Sequence, residues 1–301
     1  MKKILILLAI FSTVAASAQS VGINTDGSAA NASAMLDVKS TTKGFLIPRM
    51  TESQRNAIAS PIAAGLRVWC TDCGLYGETQ VYNGTTWTNM IGGAATTARV
   101  TIGTQVWAVN NLDVATYSDG TVIPEVTSGT DWAALTTGAW CYYSNDPTNG
   151  AIYGKLYNWY AVAGIWNEAS KTDAILRKKL APTGWHVPTD EEWSALTTTL
   201  GGEIVSGGKM KATGTSIWQS PNTDATNSSG FTGLPGGFRY PNGPVFNIGS
   251  NGFWWSSTED TSWDPDPRKS SWLRNLNYTN GSTPSYNLNK KYGISVRCLR
   301  D

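Results

Sequence analysis

Histidine and charged residues are scarce in this chain of 301 residues. Its one histidine, His186, excludes sites that need two imidazoles, such as two-histidine zinc sites and the iron site built from two histidines and a carboxylate. Lys and Arg number 23 against 22 Asp and Glu, and charged residues make up only 15% of the chain. This near-neutral balance argues against a nucleic-acid-binding protein, whose affinity depends on clustered Lys and Arg.

Long hydrophobic runs are missing as well. One apolar run, at residues 4–11, follows Lys2 and Lys3 and precedes a small-residue cleavage site at 16–18 (ASA). This pattern predicts a secretory signal peptide over residues 1–18. Because no run reaches the roughly 20 residues of a spanning helix, we expect no membrane span in the mature chain. We therefore predict an exported protein that is extracellular or at the cell surface, with the periplasm as the alternative.

Only four cysteines are present. An even number of cysteines in an exported protein favours disulfides. We predict a local Cys70–Cys73 bridge and a bridge between Cys141 and Cys298, which would close a loop of more than 150 residues. The alternatives are a catalytic redox CxxC at the first pair and a zinc site that recruits all four thiolates.

Composition divides the rest of the chain into two regions. Residues 19–91 are rich in small residues and contain the hairpin signal Asn83-Gly84. Residues 92–98 have no apolar periodicity and are predicted to form a linker. Residues 99–301 contain few helix signals among many short strand signals, a pattern typical of an α+β domain. The prediction is a small, mostly β N-terminal module followed by this larger domain.

Two convincing helices are predicted in the larger domain. Thr189 and Glu192 form a capping box for a helix that ends before Gly201. The spacing of apolar side chains predicts a second helix over 156–163. A further capping box, which starts at Thr51, predicts one short helix in the N-terminal module.

The predicted strands of this domain are short, at 100–102, 105–109, 139–143, 237–240, 253–257, 271–274 and 294–299. The last run alternates apolar and polar residues, which predicts a half-buried strand. The stretches 213–236 and 259–287 are dense in Gly, Pro, Asn and Ser, so we expect them to be long surface loops with a functional role.

Five ordered sequence blocks resemble one known family. The blocks are 102–107 (IGTQVW), 153–160 (YGKLYNWY), 184–193 (GWHVPTDEEW), 255–259 (WSSTE) and 295–298 (SVRC). They are similar to the Fibrobacter succinogenes major paralogous domain over about residues 100–301. This family is in turn similar to the formylglycine-generating, sulfatase-modifying enzymes. The resemblance implies a C-type-lectin-like fold, in which two helices pack on a small twisted antiparallel sheet with long loops on one side.

The same resemblance bears on catalysis. Oxidase members of the wider superfamily hold copper with two nearby C-terminal cysteines, whereas this chain offers Cys298 alone at the corresponding end. The iron-dependent relatives need several histidines, and we interpret His186 as a structural, hydrogen-bonded side chain. The N-terminal blocks 33–38 (SAMLDV) and 42–50 (TKGFLIPRM) resemble a module of exported Bacteroidetes surface proteins, which implies presentation of the larger domain.

Aromatic residues supply the candidate ligand-binding groups, since the chain has 14 Trp but only 6 Phe. Four tryptophans fall on predicted elements and are expected to be core residues: Trp107, Trp159, Trp185 and Trp193. Another four aromatic side chains lie among polar loop residues and could stack on a sugar or bind a protein: Trp263, Trp272, Tyr278 and Tyr286. Arg239 could bind a ligand carboxylate, although a buried ion pair is the preferred interpretation.

Carboxylates cluster in the same loop region, at Glu259, Asp260, Asp264 and Asp266. They could provide oxygen ligands for calcium, but no other cofactor is required by the sequence. The leading hypothesis is an exported, non-catalytic binding protein that recognises a glycan or a surface protein, and that could form an oligomer. One alternative is an enzyme, either a carboxylate-based glycan hydrolase or a protein modifier. Another is a structural component of a surface or matrix assembly.

Overall fold

The computed structural model describes residues 20–71, 73, 77–90, 99–260 and 270–301. The predicted signal peptide at 1–18 and the predicted linker at 92–98 lie outside the described residues. Contacts divide the chain into two units, Met1–Pro48 and Arg49–Asp301. The described residues form a mixed α+β structure of small sheets and short helices. None of the described helices is both long enough and apolar enough to cross a lipid bilayer.

The described part of the first unit contains one two-stranded sheet. Strand β1 (Val21–Ile23) pairs in parallel with strand β2 (Leu36–Val38). The carboxylate of Asp37 accepts a hydrogen bond from the backbone N–H of Asn31 at 2.8 Å, and this bond lowers the pKa of Asp37. Most large apolar side chains in the described residues of this unit are exposed to solvent.

The second unit begins with a four-stranded sheet in the order β3-β4-β5-β6 and one short helix. The elements are β3 (Arg49–Met50), α1 (Glu52–Asn56), β4 (Arg67–Cys70), β5 (Glu78–Tyr82) and β6 (Trp87–Asn89). The capping box predicted at Thr51 is present, because its hydroxyl accepts from the Gln54 N–H and its N–H donates to the Gln54 side chain. The Asn83-Gly84 hairpin joins β5 to β6, as predicted.

Six further helices follow among the described residues. They are α2 (Gly129–Ala134), α3 (Pro147–Tyr153), α4 (Trp159–Val162), α5 (Ala169–Thr172), α6 (Asp190–Thr199) and α7 (Glu203–Met210). Helix α6 has the predicted capping box between Thr189 and Glu192. Gly207 and Gly208 let α7 pack closely on neighbouring loops, because an added Cβ would lie 2.1 Å from the carbonyl oxygen of Ser282 and 2.5 Å from that of Asp224.

The remaining strands form small, mostly antiparallel sheets. They are β7 (Arg99–Ile102), β8 (Gln105–Ala108), β9 (Trp140–Cys141), β10 (Leu156–Tyr157), β11 (Trp185–His186), β12 (Gly236–Arg239), β13 (Val245–Ile248), β14 (Asn251–Glu259), β15 (Ser270–Asn277), β16 (Ser285–Asn289) and β17 (Leu299–Arg300). The sheet orders are β11-β17-β8-β7, β14-β15-β16, β12-β13 and β10-β9.

The predicted helix over 156–163 is wrong in its first half. Leu156 and Tyr157 form strand β10, which pairs with β9. Asn158 then caps helix α4, because its side-chain oxygen accepts from the backbone N–H of Ala161 at 3.0 Å. Apolar residues at helical spacing therefore lie partly on a strand, since cross-strand pairing overrides the local periodicity.

The predicted half-buried strand over 294–299 is also wrong. This segment makes single bridges from Ile294 to Tyr157 and from Ser295 to Trp254, and it becomes a regular strand only at β17. All residues from Ile294 to Leu299 are buried. The alternation of apolar and polar residues thus marks a segment enclosed on both sides, in which polar side chains are satisfied internally.

The prediction of two surface loops is correct only in part: the stretch 213–236 is irregular and partly exposed before β12, whereas much of the described part of 259–287 is strand. The stretch 213–236 contributes Trp218 and Phe231 to the core. The stretch 259–287 includes β15, the central strand of a three-stranded sheet. Aromatic and apolar side chains at intervals among Gly, Asn and Ser explain the difference, because each one anchors irregular backbone to the core.

Tryptophan dominates the core of the second unit. Trp107 and Trp193 are buried in one cluster with Trp254, and Trp159 is buried in another. The ring of Trp107 lies 4.6 Å from that of Trp193. Trp185 is half-buried against the core. The prediction of these tryptophans as core residues is confirmed, with Trp185 at the edge.

The cysteine prediction is half correct. Cys70 and Cys73 form a disulfide, but Cys141 and Cys298 are free thiols, so the predicted long-range bridge is wrong. The two thiols lie in different apolar clusters, Cys141 beside Trp132 and Cys298 in the main core. Burial raises the pKa of Cys141 to about 11 and that of Cys298 to about 12, so both thiols are protonated near pH 7.

Candidate functional site

Arg239 contacts backbone carbonyl oxygens rather than a carboxylate in the described part of the chain. Its side chain is buried and donates to the carbonyl oxygens of Val126 at 2.6 Å, Thr127 at 2.8 Å and Gly243 at 3.0 Å. The guanidinium carbon lies 4.5 Å from the ring centre of Trp132. Carbonyl oxygens therefore take the place of the preferred buried ion pair, and contact of Arg239 with a ligand carboxylate stays a prediction.

Trp272 and Tyr286, two of the described aromatic candidates, are not brought together. Trp272 pairs with Asn287 and Leu273 with Tyr286, so Trp272 and Tyr286 lie on opposite faces of the sheet. Tyr286 is 50% exposed, whereas Tyr278 packs against the core cluster that contains Trp254. Trp263 lies outside the described residues.

The four predicted calcium ligands cannot be assessed as a set, because Asp264 and Asp266 lie outside the described residues. The carboxylate of Glu259 forms an ion pair with the ammonium group of Lys290. Asp260 is buried and accepts a hydrogen bond from the side chain of Asn287 at 2.6 Å. No group of three metal-ligating side chains occurs in the described part of the chain.

His186 is hydrogen-bonded on both ring nitrogens. Nδ1 lies 2.7 Å from a carboxylate oxygen of Asp301, and Nε2 lies 3.0 Å from one of Glu192. Glu192 also completes the capping box of α6. The histidine thus connects the start of α6 to the end of the chain, which agrees with a structural role.

One pocket gathers residues that the sequence analysis mostly did not select. Its volume is about 620 Å³, which lies in the range of small-ligand sites. Helix α4 contributes Trp159 and Tyr160, and Glu259 lies at the end of β14. The remaining lining residues are Thr136, Ile165, Lys171, Arg177, Asn289, Lys290 and Lys291.

Four of the lining residues are cationic and only Glu259 is anionic. Lys290 is almost fully buried, pairs with Glu259 and has its ammonium group 4.8 Å from the ring centre of Trp159. The backbone N–H of Trp159 donates to the Lys290 carbonyl at 2.8 Å, which fixes α4 against the segment after β16. The pair, in which Lys290 is buried and Glu259 is partly exposed, therefore forms part of the pocket wall beside Trp159.

The other three cations have weaker or more exposed partners. Lys171 pairs at 2.5 Å with Glu168, whose side chain is 80% exposed. Arg177 is exposed and donates to the carbonyl oxygens of Ser170 and Lys171 at the long distances of 3.3 and 3.4 Å. Lys291 donates to the carbonyl oxygen of Ala133 at 2.5 Å. The described lining therefore has an excess of three positive charges, which favours anionic groups in the pocket.

Sequence reasoning selected one member of this pocket as a ligand candidate, Glu259. The basic residues were visible as 177–179 (RKK) and 290–291 (KK), but neither run is periodic or close in sequence to the other. Only the fold brings Arg177 and Lys290 to one cavity. A basic pair directly after an Asn-rich strand is the one signal that could have indicated the site.

The larger domain is a mixed α+β domain of small sheets and short helices. Its candidate binding site is the pocket beside α4. The family model described as the Fibrobacter succinogenes major domain matches residues 100–300, and the chain belongs to this family. Residues 22–100 are similar to a phage tail like trimerisation region. Searches of curated proteins and of solved structures found no match.

Proposed function

We propose that this chain is an exported, non-catalytic binding protein whose C-terminal domain, C-type-lectin-like in fold, recognises a carbohydrate or protein ligand. The observation that carries the proposal is the pocket of about 620 Å³, because it combines aromatic side chains, neutral polar groups and cations beside the buried Lys290. Such a lining suits recognition by stacking, hydrogen bonding and charge.

The state of the carboxylates in the described part of the chain favours binding over hydrolysis. A glycoside hydrolase needs two carboxyl groups placed across the scissile bond, one of which must exchange protons. Glu259 is held by Lys290, and Asp260 is buried and hydrogen-bonded to Asn287. Neither arrangement leaves a described carboxylate pair facing the pocket.

The N-terminal region supports a trimer that presents several copies of the domain. Residues 22–100 resemble a trimerisation region. In the described residues 20–48, Met35 and Leu46 are each 74% exposed and Phe45 is 66% exposed. Apolar surface of this kind is usually covered by a partner, and two further copies of the chain would cover it. Three binding domains on one particle would also raise the avidity for a repetitive glycan.

The test uses the full chain without its signal peptide. We expect light scattering to give the mass of a trimer, and the double substitution Phe45→Ser and Leu46→Ser to reduce it to that of a monomer. Ile175→Ser is the matched control, because Ile175 is 91% exposed but lies in the other unit. A monomeric parent protein, or an equal loss of mass in the control, would contradict the trimer.

Binding is measured on the same samples by titration against a panel of polysaccharides and surface glycans, followed by tryptophan fluorescence. We expect saturable binding by at least one glycan without release of reducing sugar. Turnover would support the hydrolase alternative. A stable trimer that binds nothing on the panel would support a protein ligand or a structural assembly component instead.

A further inference from the structure

We propose that the pocket binds an anionic saccharide, in which a carboxylate or sulfate group contacts Arg177 and Lys171. This inference rests on the proposed binding function and names the ligand class of the same pocket. It depends on the charges around the pocket, on the free donors of Arg177 and on the neutral polar groups beside them.

The charge balance of the described lining is the first argument. Lys171, Arg177, Lys290 and Lys291 face one carboxylate, Glu259, which is already paired with Lys290. Lys171 has its own partner in Glu168, but that carboxylate does not line the pocket and is largely exposed. An exposed pair of this kind contributes little to stability and can exchange its partner for a ligand anion.

The geometry of Arg177 is the second argument. A guanidinium carries five N–H donors arranged for bidentate contact with carboxylate or sulfate oxygens. Arg177 uses Nε and one Nη2 donor on carbonyl oxygens of the α5 segment at 3.3 and 3.4 Å. The remaining donors have no partner among the described residues. They can therefore form charge-assisted hydrogen bonds to a ligand.

The neutral lining is the third argument, and it favours a saccharide over an acidic peptide. Tyr160 is partly exposed, and Asn289 and Thr136 are exposed at the pocket. A ring face beside amide and hydroxyl groups complements the apolar face and the hydroxyls of a sugar ring. An acidic peptide would use the cations but would not need this combination.

The experiment compares matched ligands on the full chain by isothermal titration. Polygalacturonate is compared with its fully methyl-esterified form, and dextran sulfate with dextran, so that each pair shares a sugar backbone and differs in its charged group. We expect at least one charged member to bind at least about tenfold more tightly than its neutral partner. The carboxylate and sulfate pairs show separately which anion the pocket prefers.

Variants link this preference to the pocket. Arg177→Gln is expected to weaken binding of the preferred anionic ligand by about tenfold, the loss typical of one charge-assisted hydrogen bond. Lys179→Gln is the matched control, because it removes the same charge from an exposed residue that does not line the pocket. Equal weakening by both variants would indicate non-specific attraction and overturn the inference.

Glu259→Gln provides a change in the opposite direction. Removing the one anionic lining residue among those described should tighten binding of the anionic ligand severalfold relative to its neutral partner. The double variant Glu259→Gln and Arg177→Gln should lose this gain. Unchanged or weaker anion binding by Glu259→Gln in a folded protein, as judged by its thermal unfolding, would overturn the inference.

Three outcomes distinguish failure of this inference from failure of the proposed function. If neutral and charged glycans bind equally, the inference fails but the proposed binding function stands. If poly-glutamate binds as tightly as the charged polysaccharides and no glycan pair shows a difference, the ligand is an acidic protein and the inference fails. If none of the four polysaccharides binds, the inference also fails, and the broader panel decides the proposed function.

Discussion

Positive charge lies in the core of the larger domain and also around its pocket, and the two sets of side chains have different partners. In the core, Arg297, Arg239 and Lys211 are buried, and every described oxygen that accepts from them is a carbonyl or amide oxygen. In the pocket, Lys171 and Lys290 pair with carboxylates. These three core cations thus hold backbone in place, whereas Lys171 and Lys290 in the pocket are balanced by carboxylate side chains.

The reason for this difference lies in the irregular backbone. Long segments without helix or sheet carry carbonyl groups that must be satisfied when they are buried. Lys211 donates to the carbonyl oxygens of Thr223 at 2.6 Å, Asn280 at 2.8 Å and Asn277 at 2.9 Å, so one side chain joins two such segments. A long cationic side chain with several donors thus satisfies carbonyl groups that strand pairing would satisfy in a regular sheet.

Arg297 is expected to show the largest effect. Its guanidinium is fully buried, donates to Ala108 and Phe231 carbonyl oxygens at 2.9 and 2.8 Å, and lies 4.4 Å from the ring centre of Phe231. Burial lowers its pKa, and the oxygens around it stabilise the charged form. Arg297→Met should lower the free energy of unfolding by about 3 to 5 kcal/mol, measured by denaturant titration.

The control for this prediction is Arg300→Met, which removes the same charge from an exposed residue three positions later. It should change the free energy of unfolding by less than about 0.5 kcal/mol. If Arg297→Met were as stable as the parent protein, carbonyl binding by the core cation would not matter to the fold.

Lys211 should show a smaller effect that depends on pH. Lys211→Met should cost about 2 kcal/mol near pH 7, because three carbonyl oxygens lose a donor. Burial lowers the pKa of Lys211 from 10.5 to about 8, so between these pH values the unfolded chain binds more protons than the folded protein. The stability that Lys211 confers should therefore rise as pH increases through this window.

The measurement is the difference in free energy of unfolding between the parent protein and Lys211→Met at several pH values. This difference should grow by up to about 3 kcal/mol between about pH 8 and pH 10.5. The two buried thiols act in the opposite sense above pH 9, but they are common to both proteins and cancel. A difference that stays constant with pH would contradict the lowered pKa.

Local features of the fold were predictable, and the contrast between core and pocket was not. The Thr189 capping box and the Asn83-Gly84 hairpin depend on residues a few positions apart, so the sequence pattern contains them. The partners of Arg239 at Val126 and Thr127 lie more than 110 residues away. No local pattern distinguishes an arginine that will meet carbonyl oxygens from one that will meet a carboxylate.

The same limit applies to the candidate site and to the cysteines. The clustering of acidic residues in sequence predicts a ligand role for Glu259. In the fold, however, Glu259 at the end of β14 pairs with Lys290, which follows β16. The predicted Cys141–Cys298 bridge follows from the Cys70–Cys73 pairing only if every cysteine in an exported chain forms a disulfide, and these two do not. Separate apolar clusters can also accommodate buried free thiols, and only the fold reveals this arrangement.

The smallest effects on stability are expected in the pocket. Arg177→Gln and Lys171→Gln should each change the free energy of unfolding by less than about 0.5 kcal/mol. Lys171 pairs with an exposed carboxylate, and the hydrogen bonds of Arg177 are long. Thermal unfolding of the unliganded variants measures this directly. A loss similar to that of Lys211→Met would mean that the pocket cations also hold the fold together. Retained stability together with weakened anion binding would instead separate the cations that build the domain from those that serve its ligand.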